Sequence, residues 1–233
     1  MIAICKRELH SFFRSPPGYV YTAAFLAIMN LYFFATCILS ASSDVSSTFS
    51  NMLIVLLFLM PILTMRLFSE EYKQGTDRLL FTAPVSIWEI VGGKFLATLC
   101  ILLLALACTL PWIIIIALFG TPAWAGIIGC YIAVLCASAV FAAMGMFLSS
   151  LTESQLVAAV LSFALFLGLY IADMLQYSMS GGVLASVLSW LSIFTRYDTF
   201  MSGQFSLSNL IYFVSLIGLF FYLTARVLER RRV

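Results

Sequence analysis

Six long apolar stretches constrain the fold of this 233-residue chain more than any other feature. A helix needs about 20 apolar residues to cross a bilayer core of about 30 Å. The stretches that approach or exceed this length are 19–39, 52–68, 95–119, 125–148, 156–177 and 210–227. Because 63% of its residues are hydrophobic and only 9% are charged, the chain is not a soluble globular protein. No alternating strand pattern occurs, so we predict an all-α integral membrane protein with six transmembrane helices in a single domain, residues 1–233.

The distribution of cations predicts the topology. Eleven of the twelve Lys and Arg residues lie near the N-terminus, around the segment between the second and third stretches, or at the end of the last stretch. Only Arg196 lies elsewhere. Because loops rich in Lys and Arg remain in the cytoplasm, both termini and the loop at residues 69–94 are predicted to be cytoplasmic. That topology requires an even number of spans, which six satisfies.

Residues 1–15 are predicted to form an amphipathic helix in the inner headgroup layer, in contact with membrane lipids. Apolar side chains at positions 2, 5, 9, 12 and 13 share one helical face, and polar or basic side chains at 6, 7, 10, 11 and 14 share the other. Pro16, Pro17 and Gly18 then interrupt the helix. A basic stretch that only sets the topology is the alternative. The following apolar run is too long for a typical signal peptide, so a retained first span is expected.

Motifs for catalysis and metal binding are missing from the sequence. The six cysteines include no C-x-x-C pair and His10 is the single histidine, so neither a disulfide framework nor a metal site is predicted. Gly93-Lys94 is followed by Phe95, which does not fit a phosphate-binding loop. A net charge of +2 gives no indication of nucleic-acid binding. The chain is not expected to be an enzyme, so a partner must supply the energy for any transport.

Few polar residues lie within the apolar stretches. Asp173 is the one ionisable residue well inside a predicted span, near its outer end, where a structural role is favoured over a functional one. The side chain of Asn30, in the first span, either forms a hydrogen bond to a neighbouring helix or faces a pathway through the membrane. Gly129, Ala133 and Ala137 recur every four positions and allow a neighbouring helix to approach closely, from this chain or another.

The most informative polar segment, residues 66–94, holds eight of the 22 charged residues. The residues predicted to cap the inner end of the second span are Ser69, Glu70 and Glu71. Gly75 permits a reversal, after which residues 76–82 are predicted to form a short helix. The apolar side chains of that helix are Leu79, Leu80 and Phe81. Ser86 and Glu89 match a capping box that starts a helix running into the third span. The short helix suits docking into a groove on a soluble partner, or equally an interfacial helix that dips into lipid.

Residues 178–207 are too apolar for an ordinary external loop. The members of one helical stripe in this segment are Leu184, Val187, Leu188, Leu191 and Phe194. Trp190 suits a headgroup position. We expect an amphipathic helix, re-entrant or interfacial, that covers the outer side. Any substrate capture outside the membrane would need an accessory extracytoplasmic protein.

The polar motifs form a composite that extends across the chain. The inner-loop part consists of Met65-Arg-Leu-Phe-Ser-Glu-Glu71, Lys73-Gln-Gly-Thr76, Leu79-Leu80, Ala83-Pro-Val-Ser86, Glu89-Ile90 and Gly93-Lys94. The remaining parts are Lys6-Arg-Glu-Leu9, Ser149-Ser-Leu-Thr-Glu-Ser-Gln155 and Arg196-Tyr-Asp198. Over nearly all 233 residues the chain resembles ABC-2-type permeases of ATP-binding-cassette transporters, and among them the gliding-motility-type subunits.

The resemblance implies a six-span permease of a bacterial inner membrane that pairs with a second permease chain, identical or related. It also implies two copies of a cytosolic ATP-binding subunit, which would bind ATP and Mg, and no cofactor on this chain. In the family the inner-loop segment is the coupling helix that enters a groove on the ATPase. By position, the coupling candidates are Glu70, Glu71, Gly75, Thr76, Leu79, Leu80, Pro84, Val85 and Glu89. The two leucines would be the buried anchor, and the first two glutamates would meet basic residues of the ATPase. Capping alone is the alternative explanation for Glu89.

The resemblance further implies a translocation path along the dimer seam, lined by the first and fifth spans. Its candidate residues are Asn30, Gln155 and Asp173. Export is favoured over import because this permease type is mostly associated with export. Two other classes stay open: a secondary transporter, which would need coupling groups near the midplane, and a membrane scaffold or assembly factor without a path. No residue indicates the substrate.

Overall fold

The structure, a computed structural model, describes residues 1–14, 16–40, 44–76, 85–120, 123–178, 192–204 and 206–232. Throughout these ranges the secondary structure is helical, as predicted. The α-helices are α1 (Ile2–Arg14), α2 (Pro16–Phe33), α3 (Ser46–Thr64), α4 (Arg66–Gln74), α5 (Ile87–Ala107), α6 (Pro111–Phe119), α7 (Trp124–Leu151), α8 (Gln155–Ser178), α9 (Ile193–Met201) and α10 (Leu207–Arg232). A π-helical turn, Phe34–Ile38, extends α2.

Six helical segments are long and apolar enough to cross a membrane, which confirms the predicted number. They are Gly18–Ile38, Ser46–Gln74, Ile87–Leu118, Trp124–Leu151, Gln155–Gln176 and Leu207–Arg231. The chain is therefore a multi-pass membrane protein. Since six crossings return the chain to its starting side, both termini and the segment between the second and third spans lie at one end of the bundle. We call this end the loop end.

The second span differs from its predicted limits. Helix α3 already begins at Ser46, and after a single turn residue, Met65, the helix α4 continues to Gln74. The prediction that Ser69, Glu70 and Glu71 cap this span is wrong, because all three lie inside α4. Helix α4 is amphipathic: Leu67, Phe68 and Tyr72 are buried, whereas Lys73 and Gln74 are exposed. Polar residues therefore do not mark a helix end here.

Helices α5 and α6 form one bent span. At the bend, the Thr109 hydroxyl donates to the Leu106 carbonyl (2.7 Å) and lies 2.9 Å from the Tyr131 hydroxyl of α7. Pro111 is the first residue of α6, where the missing N–H leaves no helical bond unmade. The sequence-based interpretation of one continuous span did not include this bend.

The core forms around α3 and α7. In their most apolar stretches, 72% of the residues of these two spans are buried, against 17% for the spans of α8 and α10. The latter therefore expose apolar faces to lipid. The small residues of α7 allow the close packing: a Cβ on Gly129 would collide with the Phe200 carbonyl of α9. The sequence left open whether the helix that approaches Gly129 belongs to this chain or to another; in the structure it is α9 of the same chain.

The two predicted surface segments are described to different extents. Helix α1 matches the segment at residues 1–15 and packs against α5 with Ile4 buried. Of the segment at 178–207, residues 179–191 lie outside the described residues, together with most of its predicted stripe. Within α9, Phe194 is buried and contacts the rings of Phe141 and Tyr170.

Candidate functional site

Helix α4 extends the second span and ends at Gly75. Gly75 has a φ of +67°, in the left-handed region that strains residues with a Cβ. Its N–H donates to the Tyr72 carbonyl (3.2 Å), and the Thr76 N–H donates to the Glu71 carbonyl (3.1 Å), so both bonds close the helix end. Gly75 thus has the positive φ that its predicted role requires. Residues 77–84 follow and lie outside the described residues, as do the coupling candidates Leu79, Leu80 and Pro84.

The chain returns at Val85 and enters α5 through a capping box. The Ser86 hydroxyl accepts from the Glu89 N–H (3.2 Å), and the Glu89 carboxylate accepts from the Ser86 N–H (3.1 Å), which confirms that prediction. The same carboxylate lies 4.0 Å from the N-terminal ammonium of Met1. Two local interactions therefore account for Glu89.

A buried ion cluster lies beneath the loop, between α1, α4 and α5. Lys94 is 1% exposed, and its Nζ lies 3.2 Å from Glu8 Oε1 and 3.0 Å from Glu71 Oε2. It also donates to the Leu67 carbonyl. Arg7 Nη2 bonds the same two carboxylates at 2.8 and 2.7 Å. Two cations thus balance two anions around the buried Lys94, while Arg7 at the edge of the cluster is 52% exposed.

The cluster changes the pKa of Glu8. Burial raises this pKa, but Lys94 and Arg7 together outweigh burial, so the net pKa lies below the ordinary carboxyl value. Glu8 is consequently ionised at neutral pH. Helix α1 is held to α4 and α5 by charge as well as by apolar contact.

Glu70 has a partner of its own on α4. Arg66 donates to it twice, from Nε at 2.7 Å and from Nη2 at 3.1 Å, across one helical turn. Glu70 and Glu71 were expected to meet basic residues of an ATPase, and each already has a cationic partner in this chain. Their docking role stays a prediction, while their internal pairing shows that both belong to the base of the loop.

Ser149 of α7 supports the junction between α3 and α4. The helix restarts after Met65, so the N–H groups of its first turn have no helical acceptor. The Ser149 hydroxyl accepts from the N–H groups of Phe68 (3.1 Å) and Ser69 (3.2 Å) and donates to the Met65 carbonyl (3.0 Å). The Ser69 hydroxyl donates back to the Ser149 carbonyl at 3.1 Å. This helix start is therefore fixed to α7.

Arg231, near the end of α10, contacts the other side of α4. Its guanidinium carbon lies 4.2 Å from the centre of the Tyr72 ring. Its Nη2 donates to the Leu151 carbonyl (3.3 Å), and Nη1 lies 3.9 Å from Glu153 in the turn between α7 and α8. Helix α4 is thus connected to α1, α5, α7 and α10.

The three path candidates lie in separate places. Asn30 accepts a hydrogen bond from the Trp112 indole N–H (2.8 Å), and that indole stacks on Phe33 with ring centres 4.8 Å apart. Asp173 is 8% exposed and accepts from the hydroxyls of Ser192 and Thr195. Both have packing partners, which favours their structural interpretation.

Gln155, the third candidate, lines a cavity of about 600 Å³ at the loop end. The cavity lies between α4 and the start of α8, and its other polar lining residues are Lys73, Glu153 and Ser154. Within the described part of the chain, no group of three His, Cys, Asp or Glu side chains could hold a metal ion.

Sequence reasoning did not identify Lys94, Arg7, Glu8 or Ser149 as site residues. Lys94 and Arg7 were used as topological charges and as parts of the family motif, without an assigned role in the site. One signal was present: Lys94 stands in a Gly-Gly-Lys-Phe run well inside a helix that is otherwise apolar, where a cation needs a partner. The identity of that partner depends on how α1 and α4 pack, which no local pattern reveals.

Six spans, with one polar segment that follows a helix in contact with four others, define a multi-pass membrane protein. A family model described as ABC-2 family transporter protein matches residues 2–232. The chain belongs to this family. It is thus the membrane component of a transporter, not itself catalytic, and the family implies an ATPase partner. No curated protein matches the chain.

Proposed function

We propose that the chain is the permease of an ABC exporter in the inner membrane of a bacterium, driven by an ATPase that docks on residues 77–84. The loop end and both termini face the cytoplasm, which the concentration of cations at that end supports. The permease is a single domain, pairs with a second permease chain and binds two copies of the ATPase. The resemblance to gliding-motility-type subunits supports this assembly and the export direction.

The attachment of α4 is the observation that favours this function. Ser149, Lys94 and Arg231 each connect α4 to a different part of the bundle. A loop that served only to join two spans would need none of these contacts. A docking element needs them, because movement of the ATPase must displace spans and not merely bend the loop.

We divide the coupling candidates into three groups by their position in the segment. Glu70, Glu71 and Glu89 pair within the chain and hold the base of the loop. Leu79 and Leu80 supply the buried anchor on the ATPase, where a leucine side chain contributes about 1.5–3 kcal/mol. The residues that connect base and anchor are Gly75, Thr76, Pro84 and Val85. Apolar contact therefore dominates the affinity, and the charges set the geometry.

Closure of the two ATPase subunits moves the paired loops, tilts the bundles and alternately opens a path along the seam between the permease chains. The first and fifth spans line that path. Gln155 suits it, because its side chain lines a cavity at the start of α8. We assign Asn30 and Asp173 to packing within the chain.

A double substitution, Leu79→Asp with Leu80→Asp, tests docking through pull-down of the ATPase subunit by the purified permease. Loss of two buried leucines weakens the complex by about 100-fold or more. The matched controls are Leu79→Met with Leu80→Met, which keeps the apolar volume, and Ile2→Asp, which places a carboxylate on an 83% exposed position of α1. Both controls retain the ATPase. Equal retention of the ATPase by the double aspartate variant would refute the docking role.

A further inference from the structure

The cavity between α4 and α8 has two chemically different ends. Among the described residues, its polar lining consists of Lys73 on α4, Glu153 and Ser154 in the turn before α8, and Gln155 at the start of α8. Its apolar residues are Met65, Leu156 and Ala159. Because Met65 lies at the junction with α3 and Lys73 near the tip of α4, the apolar end points toward the membrane and the polar end toward the loop. A volume of about 600 Å³ is in the range of small-ligand sites.

In the described part of the chain, the two charged side chains that line this cavity, Lys73 and Glu153, do not form an ion pair with each other. Glu153 has a distant contact with Arg231, 3.9 Å away, and its side chain is 74% exposed. Both side chains are exposed and therefore accessible to a ligand, and a ligand that brings both an anion and a cation could pair with both. Such a ligand is zwitterionic.

The lining also indicates which kind of zwitterion fits. A primary ammonium donates hydrogen bonds to a carboxylate, whereas a quaternary ammonium cannot and is bound by aromatic rings. The described lining residues include a carboxylate and no aromatic ring. Phosphate suits Lys73, and an acyl chain suits the apolar end.

We infer that this cavity binds the headgroup of a phosphoethanolamine-type amphiphile from the adjacent leaflet, with its ammonium on Glu153 and its phosphate on Lys73. Gln155 and Ser154 contribute neutral hydrogen bonds to the headgroup. The inference rests on the proposed function, which places the cavity at the inner leaflet. It goes beyond that function in making this amphiphile a cargo that enters from the inner leaflet.

The test titrates purified permease in detergent with dihexanoyl-phosphatidylethanolamine, the phosphatidylcholine and phosphatidylglycerol analogues, and free phosphoethanolamine, and measures binding by native mass spectrometry. The ethanolamine lipid binds about tenfold more tightly than the choline lipid, the effect of one charge-assisted hydrogen bond. Free phosphoethanolamine binds more weakly than the lipid, because it leaves the apolar end empty. Equal affinity for the ethanolamine and choline lipids overturns the inference.

Two substitutions test the roles of Lys73 and Glu153 separately. Lys73→Gln weakens binding of all three lipids, while Glu153→Gln abolishes only the preference for ethanolamine. The matched controls are Lys6→Gln and Glu229→Gln, exposed charges outside the cavity, and both bind as the unmodified protein does. Site variants that behave like these controls also overturn the inference.

The same preparations are tested for ATPase pull-down, which separates this inference from the proposed function. Retained ATPase binding without lipid preference refutes the lipid site alone. Lipid preference without ATPase binding refutes the proposed function and leaves the headgroup site in place.

Discussion

Replacing Lys94 by Met removes the cation at the centre of the cluster beneath the loop. Methionine preserves the length and apolar stem of the side chain, so the change isolates the charge. Truncating one partner of a buried ion pair costs about 3–5 kcal/mol, because the other charge stays buried. Here Arg7 still pairs with Glu8 and Glu71, and those carboxylates are 21% and 16% exposed. We therefore expect the lower limit, a loss of about 3 kcal/mol in the free energy of unfolding.

The assay is chemical unfolding of the purified protein in detergent micelles, with Lys6→Met as the matched control. Lys6 is exposed on α1, so its replacement changes stability by less than about 0.5 kcal/mol. A double-mutant cycle with Glu71→Gln measures the coupling, which we expect to be about 1–3 kcal/mol. A Lys94→Met variant as stable as the Lys6→Met control would contradict the role assigned to the cluster.

Three further predictions follow from single residues. Because the pKa of Glu8 is lowered in the folded state, ionised Glu8 stabilises the folded protein above about pH 4.5, and this contribution is lost as the pH falls through the folded-state pKa. If Glu8→Gln leaves the loss of stability at acidic pH unchanged, the prediction is contradicted. Gly75→Ala loses about 1 kcal/mol of unfolding free energy because of its φ of +67°, since no atom of the described residues lies within 4 Å of the added Cβ. An unchanged free energy of unfolding would contradict the left-handed conformation at Gly75. Gly145→Ala brings a Cβ against Thr64 and lowers the free energy of unfolding by about 1–3 kcal/mol, whereas the control Gly126→Ala meets no described neighbour and does not lower it. Equal thermal midpoints of the two variants would disprove the close contact.

The sequence predicted the spans well because bilayer thickness leaves a helix few lengths to adopt. It predicted the capping box at Ser86 and the reversal at Gly75 because each depends on residues that are adjacent in the chain. The continuation of the second span through Glu70 and Glu71 was missed. An amphipathic helix that leaves the membrane has the same composition as a polar loop, and only its packing against α7 distinguishes them.

The long-range contacts of the candidate site could not be predicted from the sequence. Glu71 was assigned to a partner protein, yet it pairs with Arg7 and Lys94, which lie far from it in sequence. Likewise, nothing near Ser149 in the chain indicates that its hydroxyl accepts from two N–H groups of α4. Contacts of this kind arise from tertiary packing, to which a single sequence gives no direct access.

Site-specific cross-linking tests most directly whether an ATPase delivers force through the loop on α4. A photoreactive side chain at position 80 is compared with the same group at Leu207, which is 74% exposed at the opposite end of the bundle. The account predicts a covalent product with the ATPase subunit from position 80 and none from position 207. A product from position 207 alone, or labelling of position 80 by a membrane-impermeant reagent outside intact cells, would contradict it.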